Sequence, residues 1–156
     1  DKINIEIESL ELFSVINDAI EPYEILINKK EIDLEVNIPK TELMSDRNLL
    51  FTIISNLISN AVKFTPRNGN IKILSRLEKG DCYISIADNG IGMTTERAKE
   101  ISNTIELKSN IGTENEEGWG LGLILCREFI NLLGGGLELK SEKLIGTTAT
   151  IRLPLA

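Results

Sequence analysis

The sequence predicts an α/β fold of the α+β kind, a two-layer sandwich in which helices cover one face of a mixed sheet. Two observations predict it. Apolar residues switch along the chain between a period of two and a period near 3.6, so strand-like and helix-like stretches are interspersed. Several strand-like stretches are separated only by short turns, at Lys79-Gly80 and Lys143 to Gly146. Strands joined so closely are antiparallel neighbours, which a doubly wound parallel sheet does not accommodate.

Ile3, Ile5 and Ile7 alternate with polar residues, the pattern of a short half-buried strand, and Ser9 then stands where an N-cap opens a helix to about Asn28. Ile32 to Ile38 alternates again until Pro39, and a short strand is expected around Glu42 to Met44. Asp46 is placed to cap a long helix in which Leu50, Ile53, Leu57 and Ala61 share one arc. Pro66 disfavours helix at Thr65 and so ends it. Asn68-Gly69 is a turn, and Asn70 to Glu78 with Asp81 to Ala87 form a hairpin. Thr94 or Thr95 caps a short helix to about Ile101. From Ser102 to Glu117 the period is lost, and an irregular stretch of that length inside a compact domain reads as a lid, spanning about 94–120 with its flanks. A helix from about Leu121 to Leu133 stops at Gly134-Gly-Gly136, and Leu137 to Glu142 and Thr147 to Leu153 are the last strands.

With 156 residues, 42% apolar and 26% charged, the chain fits one globular domain with a substantial core. A net charge of -7 without any basic cluster argues against nucleic acid or an anionic membrane surface as partner. Cys82 and Cys126 are too few for a disulfide framework and read as buried thiols. No apolar run approaches the roughly 18 residues that span a bilayer, which points to a cytoplasmic location. The chain starts at Asp1 rather than at a methionine, as expected of a piece of a longer protein. It holds no histidine, so neither a histidine base nor a histidine phospho-acceptor lies within it.

Three stretches carry candidate chemistry. At about 100° per residue, Asn56, Asn60 and Lys63 fall within roughly 60° of one another along the border of the apolar arc. An amide oxygen is a ligand Mg²⁺ accepts beside phosphate oxygens and waters, and a lysine one turn on neutralises phosphate charge. The plainer reading is a solvated polar face. Asp88-Asn-Gly-Ile-Gly92 follows a strand and reads either as a tight turn or as a base pocket. In the second case Gly90 and Gly92 admit a flat ligand and Asp88 accepts from the amino group of adenine. Guanine would set its carbonyl against that carboxylate, leaving a buried group unpaired at roughly 1–3 kcal/mol. Gly118-Trp-Gly-Leu-Gly122 at a helix start is either a hinge or an anion site of open amides. It lacks the Gly-Lys-Ser/Thr of a Walker loop and the third-glycine spacing of the dinucleotide fingerprint. Trp119 reads equally as core or as a contact made on closure, and Phe64 reads as pocket wall; Gly146-Thr-Thr148 reads either as a hairpin turn only or as a support, its Thr147 hydroxyl in reach of Asp88 or an ordered water if the last strand lies beside it.

Assembled, these stretches resemble the catalytic and ATP-binding domain of sensor histidine kinases, within the ATP-binding superfamily shared with gyrase, the ninety-kilodalton heat-shock chaperone and mismatch-repair ATPases. Asn56-Leu-Ile-Ser-Asn-Ala-Val-Lys-Phe-Thr65 resembles the N box, Asp88 to Met93 the first glycine box, Gly118 to Leu123 the second, and Gly146-Thr147 the third. The resemblance covers essentially the whole chain. It implies a mixed, mostly antiparallel sheet backed by about three main helices, with ATP and Mg²⁺ as ligands. It assigns Asn60, assisted by Asn56, to the metal and Lys63 to phosphate. Phe64 would lie beside the nucleotide, Asp88 would take the adenine amino group, and Gly90, Gly92 and Met93 would shape the base pocket. Gly118, Gly120 and Gly122 with the Leu121 and Leu123 amides would take the phosphates, and Thr147 would support the base site. The family's phenylalanine-bearing box has no counterpart, since no Phe lies between Met93 and Trp119; Ile105 or Leu107 stands in its place.

One position separates reaction types. ATP-hydrolysing relatives carry a glutamate one turn before the metal-binding asparagine, as general base. Here that position is Asn56, which cannot take a proton, so transfer of the γ-phosphoryl group is expected rather than hydrolysis. The resemblance implies two partners besides ATP: a histidine-bearing dimerisation domain of the same protein, and a response-regulator receiver domain. An ATP-binding sensing or interaction domain without transfer is the alternative, and an ATP-hydrolysing clamp a further one that Asn56 disfavours.

Overall fold

The structure, a computed structural model, describes residues 4–92, 96 and 121–155. The order among them is β1 (Glu8–Glu11), α1 (Leu12–Ile20), a 3-10 turn (Glu21–Tyr23), α2 (Glu24–Lys29), β2 (Asp33–Asn37), β3 (Glu42–Ser45), α3 (Arg47–Phe64), β4 (Asn70–Glu78) and β5 (Asp81–Asp88). Then follow α4 (Leu121–Leu132), β6 (Gly136–Glu142) and β7 (Gly146–Pro154). The expected short helix to Ile101 and the 94–120 lid lie, apart from Glu96, outside the described residues.

Five strands form one sheet in the order β2-β4-β5-β7-β6, parallel between β2 and β4 and antiparallel elsewhere. Alternation along the strands sends Ile71, Ile73, Ile84, Ile86, Ala149 and Ile151 to one face, where they are buried under α3 and α4, with α1 packed against α3. The mixed, mostly antiparallel two-layer sandwich is therefore the fold. Each buried isoleucine of this layer is worth about 1.5–3 kcal/mol relative to exposure, which makes this interface the main source of stability.

The amino-terminal elements depart from expectation. Ile5 and Ile7 are 38% and 53% exposed, and the strand falls instead at Glu8–Glu11, where Leu10 points inward opposite Leu43. Strand β1 pairs only with β3, in a separate two-stranded sheet. Ser9 lies inside β1, and the cap of α1 is Glu11, whose side chain accepts from the Phe13 amide at 2.8 Å. The single helix expected to Asn28 is broken at Pro22, which lacks a donor, into α1, the 3-10 turn and α2.

Helix α3 begins as read. Asp46 is its N-cap, with Oδ1 accepting from the Leu49 amide at 3.0 Å, and Oδ2 also takes the Glu6 amide at 2.8 Å, tying the amino-terminal segment to the helix start. The helix is buried more widely than one stripe, since Ile54, Ile58 and Val62 join Leu50, Ile53, Leu57 and Ala61 in the core. The sheet lies beneath it and α1 and α4 flank it, so little of its circumference meets solvent. At its end, Lys30 Nζ donates to the carbonyls of Val62 and Thr65, both at 2.7 Å, and of Lys63 at 3.3 Å. A lysine from the preceding connection thus satisfies groups that a helix terminus leaves open.

Candidate nucleotide site

The site is assembled where three chain segments meet: the last two turns of α3, the loop after β5, and the β6–β7 turn. Asp88 ends β5 on the helix-facing side and sits directly opposite Thr147 in the β5–β7 register. Its Oδ1 accepts from the Gly90 amide at 2.8 Å and from the Thr147 amide at 3.3 Å. Its Oδ2 accepts no hydrogen bond from the described residues. Burial pushes the Asp88 carboxyl above the ordinary carboxylate range, and the Gly90 and Thr147 amides pull it part of the way back.

The loop behind Asp88 is fixed at several points. The Asn89 side chain accepts from the Asn70 amide at 2.8 Å, the Ile91 amide reaches the Phe64 carbonyl at 3.4 Å, and the Leu144 amide donates to the Ile91 carbonyl at 2.6 Å. A Cβ at Gly90 would lie 2.5 Å from the Phe64 carbonyl oxygen and 2.9 Å from Asp88 Oδ1, so this backbone presses against the end of α3. Gly92 takes φ +65° and faces the Glu142 carbonyl, where any side chain collides. Asp88 also lines, with Ser141, Glu142, Ile145, Gly146 and Thr147, a cavity of about 290 Å³.

Thr147 corrects one expectation. The last strand does lie beside Asp88, yet the Thr147 contact comes from its main-chain amide, and its hydroxyl pairs with Ser141 Oγ at 2.7 Å. Strand alternation and the tight β6–β7 turn set this, because Ser141 and Thr147 are register partners.

On α3 the three polar candidates differ in environment. Asn60 is buried at 7% exposure, and its Nδ2 finds no hydrogen-bond partner, the one such buried side-chain atom among the described residues. An orphaned amide is costly in a well-packed layer and marks a group held for something other than stability. Asn56, a turn earlier, is half-buried, and a Cβ at Gly122 of α4 would come 3.8 Å from its Oδ1. The start of α4 is thereby brought over Asn56. Lys63 is exposed and its Nζ stands 5.5 Å from the centroid of the half-buried Phe64 ring. Beneath Asn56, Cys126 is buried with its thiol 3.6 Å from the Ile53 carbonyl; burial pushes it up to about 12, against a lowering hydrogen bond from Asn56.

The structure thus brings together Asp88, Gly90, Gly92 and Thr147 in one cluster at the end of α3, near Phe64. Asn56, Asn60, Lys63, Gly122 and the buried Leu123 lie along the adjoining helices. Met93, Gly118 and Gly120, the role of Trp119, and the side chain of Leu121 lie outside the described residues. Sequence reading missed Lys30, Asn89, Ser141 and Cys126 as supports; only the Ser141–Thr147 pair had a signal, since a hairpin register places them face to face.

The donor set suits a metal bound through a nucleotide rather than one caged by protein. Among the described residues no group of three or more His, Cys, Asp or Glu side chains converges to hold an ion. Magnesium is commonly held by few protein ligands and completes its shell with phosphate oxygens and water, which is what a lone amide border on α3 permits.

Comparison with known proteins agrees with this geometry. A family model described as histidine kinase-, DNA gyrase B- and HSP90-like ATPase matches residues 45–156. The chain is 37% identical over 114 residues to histidine protein kinase DivJ of Caulobacter vibrioides, covering 73% of this chain and 19% of that protein. It is 30% identical over 159 residues to the non-motile and phage-resistance protein of the same organism, covering 99% of this chain and 19% of that one. The chain therefore spans about a fifth of the length of these relatives, at 19% of each. Its fold matches the catalytic domain of histidine kinase ThkA with a TM-score of 0.81 at 24% identity, over 96% of this chain and 97% of that one. Full-length ShkA in complex with AMPPNP matches with a TM-score of 0.82 at 21% identity, over 100% of this chain and 32% of that one. This chain belongs to the family of histidine kinase-, DNA gyrase B- and HSP90-like ATPases, and within it its likeness runs to the histidine kinases.

Proposed function

We propose that the chain is a single catalytic domain that binds Mg-ATP and transfers the γ-phosphoryl group to a histidine on a helical dimerisation domain of the same protein. The observation that carries the reading is Asp88: one carboxylate oxygen is occupied by two main-chain amides, and the other is left to accept from a ligand. A base that offers an amino group there is accepted, and one that offers a carbonyl is not. Adenine fits, guanine does not.

Gly90, Gly92 and Met93 shape the base pocket and Phe64 stands beside it. Asn60, assisted by Asn56, supplies amide oxygen to Mg²⁺, and Lys63 neutralises phosphate charge. Gly118, Gly120 and Gly122, with the Leu121 and Leu123 amides, take the phosphates at the start of α4. Held by Asn60 and Asn56, Mg²⁺ would supply charge neutralisation on the phosphates. In the transfer, an imidazole nitrogen would form the P–N bond as the bond from the γ-phosphorus to the bridging oxygen breaks; ADP leaves with that oxygen, and the proton on the other ring nitrogen passes to solvent water. The acceptor lies outside this chain, which holds no histidine. Asn56 supports transfer over hydrolysis because an amide cannot deprotonate water. The phosphoryl group would then pass to an aspartate of a response-regulator receiver domain, with all steps on the cytoplasmic side.

The test is incubation of the full-length parent with γ-labelled ATP and Mg²⁺. Label lost in acid and retained in base is the phosphohistidine expected. Steady release of inorganic phosphate without a labelled protein would instead establish the hydrolase.

A further inference from the structure

The face of the sheet turned away from the helices carries a second concavity, of about 480 Å³, lined by Arg76, Tyr83, Lys140, Thr148, Thr150 and Arg152 among others. Its centre is one row of the sheet. Arg76 lies opposite Tyr83, Tyr83 opposite Arg152, and Arg152 opposite Gly136, so two guanidiniums flank one aromatic ring across four strands. The Arg76 Cζ stands 4.3 Å from the Tyr83 ring centroid, a stack that holds the guanidinium fork in place. At Gly136 the missing side chain leaves room for the Arg152 head, whose Nη2 would lie 3.2 Å from a Cβ there.

None of the three cationic heads donates a hydrogen bond to a described residue. Each forms a loose ion pair beyond hydrogen-bond distance, at 4.0 Å for Arg76 and Glu78, 3.8 Å for Arg152 and Asp81, and 3.9 Å for Lys140 and Glu138. Loose partners at a surface contribute little, so these donors remain available to a better acceptor. Of the residues that line the concavity, Arg76, Lys140 and Arg152 are cationic and Glu138 is the one carboxylate, while Glu78 and Asp81 stand beside Arg76 and Arg152 without lining it. Thr148 and Thr150 line the floor beside them, the Thr150 hydroxyl pairing with that of Ser85 at 3.3 Å.

We propose that this reverse face is a binding site for a small dianionic oxyanion, phosphate- or carboxylate-bearing, held between the Arg76 and Arg152 guanidiniums and the Lys140 ammonium. The guanidinium forks match such oxygens bidentately, and the concavity has the volume of a small-molecule site. The proposal does not rest on the nucleotide reading, although Lys140 and Thr148 also line the cavity beside Asp88.

The test is an amide NMR titration of the whole chain with inorganic phosphate and, separately, succinate, at constant ionic strength set with chloride. The expected result is a saturable shift of the Tyr83, Thr148, Thr150 and Arg152 signals with a dissociation constant of about 1 mM or tighter. The double variant Arg76→Gln/Arg152→Gln weakens it by about tenfold or more, as loss of charge-assisted hydrogen bonds requires. Gly136→Ala, which displaces only the Arg152 head, also weakens it. Phosphate preferred over succinate, or the reverse, identifies which oxyanion the site takes. Shifts that fail to saturate, that chloride reproduces, or that persist in the double variant overturn the proposal.

Discussion

The Thr147 amide lies 3.3 Å from Asp88 Oδ1 because the two residues are direct partners across β5 and β7, so the orientation of the carboxylate is set by sheet register and not by a flexible side chain. Asp88→Asn preserves an oxygen acceptor for the Gly90 and Thr147 amides but removes the charge. It is expected to lower ATP affinity by about 10–100-fold, the worth of a hydrogen bond to a charged group, while leaving the melting temperature unchanged or higher. Titration calorimetry and thermal unfolding check the two halves.

The same carboxylate is expected to make ATP binding depend on pH. Burial raises its pKa, so the folded protein takes up this proton more readily than the unfolded chain. Its contribution to stability is fully present below the ordinary carboxylate value and is lost as pH rises through the raised one. ATP affinity runs the opposite way, falling as pH drops through the raised pKa, because the protonated group no longer offers a charged acceptor. Calorimetry across the acid side of neutrality should show this decline in the wild type and a flat profile in Asp88→Asn.

Asn60→Ala should separate stability from function. The Asn60 Nδ2 is buried without a partner, so its removal relieves desolvation and offsets the lost packing, and stability should change by less than about 1 kcal/mol. The Mg²⁺-dependent part of ATP binding should disappear, measured as affinity with Mg²⁺ against affinity with chelator. Retained Mg²⁺ dependence would place the metal on other residues.

Lys30→Met is expected to destabilise the domain by about 1–3 kcal/mol, since three carbonyls at the end of α3 lose a cationic donor. Urea denaturation measures it. A variant as stable as the wild type would show that solvent caps this helix equally well.

A pair of glycine substitutions tests how tightly the base loop is packed. Gly80, at φ +83°, has nothing within 4 Å of an added Cβ, so Gly80→Ala should cost only about 1–2 kcal/mol of backbone strain. Gly146, at φ +143°, faces the Asp88 carbonyl, so Gly146→Ala should cost about 3 kcal/mol or more. Equal losses in chemical denaturation would mean that the β6–β7 turn yields easily.

The Cys126 thiol, pushed up to about 12 by burial, should resist alkylation at about pH 8.5, where an ordinary cysteine is half thiolate. Mass spectrometry after iodoacetamide treatment should find it modified only in denaturant.

How much was legible in the sequence follows from how local each cause is. The start of α3 at Asp46 and its end before Pro66 were readable because capping and proline sterics act within a few residues. The β4–β5 and β6–β7 hairpins were readable because their turns are too short for any other pairing. The amino terminus departs from its reading because Ile5 and Ile7 alternate as a strand should, yet among the described residues no strand pairs with them. Pro22 divides α1 from α2 because it lacks an amide donor, a break that apolar periodicity across it does not show.

By itself the sequence determined the chemical inventory: amides and an ammonium spaced along one helix, a carboxylate followed by glycines, and no histidine to receive a phosphoryl group. Only the tertiary structure decided that the Thr147 amide and not its hydroxyl holds Asp88, that Asn60 is buried with an orphaned amide, and that Arg76, Tyr83 and Arg152 form one row. Spacing along a chain fixes what a helix turn or a hairpin brings together, whereas contacts between distant segments depend on register and on which face of the sheet the helices cover.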